Sequence, residues 1–182
     1  MSPTSPISNR PLRRVVSLAA VVLMGAVFGA CDEHKTPPAS GEAQREPQAQ
    51  ADAQAQRSRA LKTLTDEDAT DDARLASIHS ARDLQITEAT PELRKLLAHE
   101  NPDIVVAAAA ALDGLNAKDA DLALMEAAGH LGRAREFEHL RQLLYIIGSV
   151  GGPRARTYLE TVAEGHELSA IQNTARQILK EM

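Results

Sequence analysis

Two residue types in this chain offer reactive side chains: one cysteine and six histidines. Cys31 is the only thiol, and it closes an apolar run from Val15 to Ala30. An unpaired thiol in an oxidising compartment is a liability, so a lone cysteine at that position points to covalent modification. Among the histidines, two precede glutamate, as His99-Glu100 and His166-Glu167. Imidazole and carboxylate are the donors that hold zinc or iron. These dipeptides lie far apart in the chain, and each falls at a turn between helical segments. A shared metal would need ligand atoms near 2 Å, whereas helix layers about 10 Å apart keep two such turns well separated. His34, His79, His130 and His139 show no ligand spacing of i, i+4. No glycine-rich phosphate loop and no serine elbow occurs. The expectation is therefore no catalytic residue, no metal and no cofactor.

What precedes Cys31 has the three parts of an export signal. Arg10, Arg13 and Arg14 form a positive segment, and no acid occurs before Asp32. A helix over residues 15–30 would be about 24 Å long, short of the ~30 Å hydrocarbon core. The residues Val27-Phe28-Gly29-Ala30-Cys31 resemble a bacterial lipobox. The resemblance implies that residues 1–30 are a signal peptide removed before Cys31, and that Cys31 becomes the lipidated, palmitate-bearing N-terminus of a periplasm-facing protein. Several acyl chains together give a stable membrane anchor. Asp32 leans the expected location toward the inner membrane, by analogy with enterobacterial sorting.

Residues 31–69 read as a Pro/Gln/Ala-rich disordered tether. Pro37, Pro38, Gly41 and Pro47 interrupt regular structure, and the segment lacks an apolar face. Loss of residues 1–30, with three arginines and no acid, takes the net charge from −5 to about −8. An acidic chain without a basic tract repels phosphate backbones, which excludes nucleic acid as a partner. With no Trp, and only Phe137, Tyr145 and Tyr158 beyond residue 30, stacking platforms for sugars or bases are not expected.

From residue 70 to 182 the apolar spacing is helical and the punctuation regular. Thr70-Asp71-Asp72, Thr90-Pro91-Glu92 and Asn101-Pro102-Asp103 each open a helix, running to about Leu84, His99 and Gly114. Further helices are expected near Lys118–Leu131, Arg135–Val150, Arg154–Glu164 and Leu168–Met182. Gly151-Gly152-Pro153 is the sharpest break, and Gly148 and Gly151 read as a helix end. Leu112, Ile147 and Leu179 recur at nearly equal intervals, with the period of stacked helical hairpins.

The run TPELRKLLAHENPDIVVAAAAALDGL, from Thr90 to Leu115, resembles a HEAT-type repeat, and Ile147-Gly148-Ser149-Val150-Gly151 resembles the end of a second helix in that family. The resemblance implies an all-α fold: a short right-handed α-solenoid of antiparallel helix pairs, about three and a half repeats over 70–182. Deoxyhypusine hydroxylase, a HEAT-like enzyme, holds two irons with four His-Glu pairs inside its second helices. This chain has two, at turns.

In HEAT-like stacks the exposed face of the second helices is the binding face. On this chain it offers Glu138, Arg141, Gln142, Tyr145 and Ser149, then Asn173, Arg176, Gln177 and Lys180. An exposed tyrosine beside arginine is a good protein anchor. The expected function is that of a membrane-anchored adaptor or scaffold for a protein or peptide partner, with no small-molecule substrate. The alternatives are a helical-repeat enzyme or lyase-like chaperone holding a metal or cofactor, and a purely structural envelope lipoprotein.

Overall fold

A computed structural model of the chain describes residues 45–182. The expected signal peptide, Cys31 and the first part of the expected tether lie outside the described residues. Within them every regular element is helical: α1 (Arg45–Thr65), α2 (Asp71–Asp83), α3 (Thr90–Leu96), α4 (Pro102–Gly114), α5 (Asp121–Ala134), α6 (Phe137–Val150), α7 (Gly152–Gly165) and α8 (Ser169–Glu181), with single 3-10 turns at Thr87–Ala89 and Lys118–Ala120. None of these helices is long and apolar enough to cross a membrane.

The starts follow from local chemistry. The Thr70 hydroxyl accepts from the Ala73 N–H at 3.3 Å, and Asn101 Oδ1 accepts from the Asp103 N–H at 2.9 Å. Each satisfies a donor that the first helical turn leaves free. Pro91, Pro102 and Pro153 occupy first-turn positions, where a missing N–H costs nothing.

The expectation of a disordered tether reaching residue 69 is corrected by α1. Its alternating Ala-Gln segment has no apolar face, but Ala60, Leu61 and Leu64 form a short apolar edge near its end, and Ala60 and Leu64 are buried. That edge packs on α2. Arg57 Nη2 donates to the Leu84 carbonyl at 2.8 Å, and Arg74 Nη2 donates to the carbonyls of Asp66 and Glu67 at 2.9 and 3.2 Å, fixing the turn between them. Helical structure therefore already covers residues 45–65, before the expected start at 70, and among the described residues eight helices follow one another.

Each pair, α1–α2, α3–α4, α5–α6 and α7–α8, packs on itself. The even helices also pack in series, α2 on α4, α4 on α6 and α6 on α8, more extensively than the odd helices meet one another. The buried residues form one continuous cluster from Ala60 to Ile178, in which Ile78, Leu93, Ile104, Leu112, Leu124, Leu143, Leu144, Ile147 and Leu159 are almost wholly enclosed.

Two turns, those after α2 and α4, have the same construction. After α2, Gln85 takes φ +51° and the Ile86 N–H donates to the Ala81 carbonyl at 2.8 Å; after α4, Asn116 takes φ +56° and the Ala117 N–H donates to Leu112 at 2.9 Å. Both are left-handed helix ends, and each leads into a 3-10 turn before the next helix. The end of α5 repeats the first part: Arg135, at φ +62°, lies outside α6, and the Glu136 N–H donates to the Leu131 carbonyl at 2.9 Å.

Gly151 caps the end of α6 with φ +69°, as its sequence context suggested, while Gly148, in the last turn, is also a contact point. A Cβ there would collide with Ile178 Cγ2 on α8. Ile178 is buried and β-branched, so it has little freedom to withdraw. Gly148→Ala is expected to lower stability by about 1–3 kcal/mol in urea unfolding. Trimming the opposing side chain in Gly148→Ala/Ile178→Ala should cost less than the two single changes added together.

Candidate functional site

The outward side of α6 is set by its own periodicity. Leu140, Leu143, Leu144 and Ile147 are buried, which turns Glu138, Arg141, Gln142, Tyr145 and Ser149 to solvent. Tyr145 is 43% exposed, one of four large hydrophobic side chains left open among the described residues. Arg141 Nη2 donates to Glu138 Oε1 at 2.8 Å, one turn away. That hydrogen bond, followed by the guanidinium charge, holds the Glu138 carboxyl below the usual glutamate range. The face thus presents an ionised carboxylate, a guanidinium, an amide and a phenol ring along two turns.

On α8 the expected residues divide. Lys180 is exposed and makes no hydrogen bond or ion pair among the described residues. Arg176 is engaged: Nη2 donates to the Ala163 carbonyl at 2.8 Å and to Gln172 Oε1 at 3.2 Å, while Nη1 donates to Asn173 Oδ1 at 2.9 Å. Arg176 therefore closes the last turn of α7, with Asn173 orienting it; both are exposed, as the periodicity suggested, but are held by contacts within the chain. The α6 and α8 rows sit on helices that pack through Gly148 and Ile178, and among the described residues no hydrogen bond links the rows.

The His-Glu dipeptides have a local role that the sequence reading missed. His99 Nδ1 accepts from the Asn101 N–H at 3.0 Å, and His166 Nδ1 accepts from the Leu168 N–H at 3.1 Å. In each case the ring stands where a short polar side chain would turn the backbone into the next helix. His99 Nε2 also lies 3.0 Å from Arg74 Nη1. A neutral imidazole has one accepting nitrogen and guanidinium only donates, so only one of these two contacts is a hydrogen bond in either tautomer. His166 meets Phe137 edge to face, with centroids 6.0 Å apart. Among the described residues no three His, Cys, Asp or Glu side chains converge so as to hold a metal ion.

His139 links two elements. Its Nδ1 lies 3.2 Å from Glu136 Oε2, and its Nε2 lies 3.1 Å from Asp103 Oδ1 on α4. Near the start of α2, Asp71 Oδ2 accepts from Asn101 Nδ2 at 2.8 Å. The N-terminal turns of the even helices are therefore tied in sequence, α2 to α4 and α4 to α6. Burial pushes the Tyr158 phenol above the usual tyrosine range, and a Tyr158–Met125 face between α5 and α7 forms an open, mainly apolar hollow.

The sequence matches no family model, and no curated protein is significantly similar to it. The turn geometry is directly testable. Asparagine can accept the same backbone N–H through Oδ1, so His166→Asn should unfold close to the unchanged protein. His166→Ala should lose about 1 kcal/mol, read as a lower midpoint in thermal or urea unfolding.

Proposed function

We propose that this chain is a membrane-anchored lipoprotein adaptor. In this reading Cys31 carries the acyl chains, and residues 45–182 form a short right-handed solenoid of HEAT-like antiparallel helix pairs. The face of the second helices receives a protein or peptide partner on the periplasmic side of a membrane. No catalytic residue is assigned.

The observation that carries this reading is the unequal packing of the two helix sets. The even helices pack in an unbroken series while the odd helices meet less extensively. Stacked pairs with one layer tighter than the other curve toward the tighter layer, and such stacks use the concave side for binding. On that layer α6 offers an exposed tyrosine one turn from an arginine, the residue types that most often anchor interfaces. On α4 the corresponding side has only the half-buried Val106, Ala110 and Asp113. The proposed contact therefore centres on α6, with the exposed Lys180 on α8 as a further cation of the even helices.

A photoreactive residue in place of Tyr145, activated in cells, should yield one discrete adduct in the membrane fraction. Arg141→Glu should abolish that adduct, because it sets a carboxylate against Glu138. A folded, correctly located protein that gives no adduct would remove this face as the site. The anchor is tested separately. Cys31→Ser should leave an unprocessed, longer precursor that takes up no labelled fatty acid, whereas undiminished labelling would exclude lipidation at Cys31.

A further inference from the structure

A second concavity shares no residue with the Tyr145 face. It lies between the α3–α4 turn, the first turn of α4 and the later half of α5, with a volume of about 320 Å³. Its walls are apolar: Leu97, Val105, Ala127 and Leu131 are buried, and Ala134 stands at the edge. Its polar lining is His99, Glu100, His130 and Glu136, with no lysine or arginine. Glu100 is exposed and makes no hydrogen bond or ion pair among the described residues. Glu136 uses Oε2 toward His139. Arg74 stands behind the His99 ring, fixed by the carbonyls of Asp66 and Glu67, and does not line the hollow.

The other side of α5 carries a counterpart. There the second dipeptide, His166-Glu167, lines a hollow with Gly129, Gly132, Tyr158 and Arg133. The Arg133 guanidinium folds back along α5, where Nη1 would lie 3.4 Å from a Cβ at Gly129. The same dipeptide thus borders two grooves, one with a cation from the chain itself and one lined by carboxylates without any.

We propose that the groove at His99-Glu100 receives a lysine or arginine side chain of a partner polypeptide. The methylene stem would lie along Leu97, Val105 and Leu131, as long cationic side chains do on apolar surfaces, while the charged head meets Glu100 and Glu136. A metal ion lacks converging ligands here, and an anion would face two carboxylates. The proposal shares with the adaptor reading only the premise of a polypeptide partner.

The test uses the full chain in a non-ionic detergent and two fluorescein-labelled peptides, one alternating lysine with leucine and one with glutamate replacing every lysine. Fluorescence anisotropy should show saturable binding of the lysine peptide alone, weakening as salt rises. Glu100→Gln/Glu136→Gln should weaken it by at least about tenfold. Ala134→Arg, which supplies a resident cation, should do the same. Glu160→Gln/Glu164→Gln, an equal charge change on the exposed side of α7, should leave binding unaltered. Equal weakening by the α7 pair, no binding of the lysine peptide, or unchanged binding by Ala134→Arg would each overturn the proposal. Crosslinking from Tyr145 reads a different face, so either reading can fail alone.

Discussion

The packing of this molecule depends on how closely its even-numbered helices approach. A helix of this length has one apolar stripe, and water is excluded from that stripe only if a neighbour fits against it without gaps. Small residues are buried along these helices, among them Ala81 on α2, Ala108 and Ala111 on α4 and Ala175 on α8, and at Gly148 on α6 the approach is direct, with Ile178 of α8 in the space a Cβ would take. Larger residues of the same stripes then fill the layer between. The two buried hydroxyls of the even helices need no outside partner, because Ser77 donates to the Ala73 carbonyl and Thr174 to Ala170, each one turn back. Neither hydroxyl therefore asks for a partner across a helix–helix contact.

Polar contacts at the rims set the alignment of one pair on the next. Asp71 with Asn101 and Asp103 with His139 join the N-terminal turns of the even helices. Near the other ends, Gln85 reaches the Gly114 carbonyl at 3.4 Å, Arg94 pairs with Asp119, and Arg154 pairs with Asp121 at 3.3 Å. Most of these groups are well exposed, and exposed pairs add little to stability. Their geometric value is larger, since each joins one helix pair to the next.

Helix starts were legible wherever a side chain declares them, as at Thr70, Asn101 and Pro153, because capping is a local interaction. Helix α1 was not legible: its packing edge is very short and is diluted by a polar alternating segment, so only α2 reveals what the edge is for. The pattern Leu84-Gln85-Ile86-Thr87-Glu88-Ala89 recurs after α4 as Leu115-Asn116-Ala117-Lys118-Asp119-Ala120, and this recurrence was open to view. It was obscured because the apolar residues Leu112, Ile147 and Leu179 suggested a different interval. The outward set on α6 could be read from periodicity, but the engagement of Arg176 could not, since its acceptor is a backbone carbonyl 13 residues away. The His-Glu pairs look like ligands in sequence because side-chain type is visible there, while the backbone N–H each ring accepts from is not.

Helix α1 has 21 residues and its partner α2 only 13. Arg57 meets the carbonyl of Leu84, which caps α2, so the residues of α1 before about Gln56 run on past its end, and from Gln48 to Arg59 every residue but Ala53 is exposed. Under the anchored reading proposed above, such an arm would act as a lever. A flexible chain spreads the positions of its load over a broad cloud, so encounter frequency falls smoothly with distance. A stiff segment confines the load to a shell whose radius it sets, concentrating encounters at one distance and depleting the space inside. Adding or deleting whole turns of α1 would shift that radius in steps of about 5.4 Å, while removing part of a turn would also rotate the domain about the arm, separating reach from orientation.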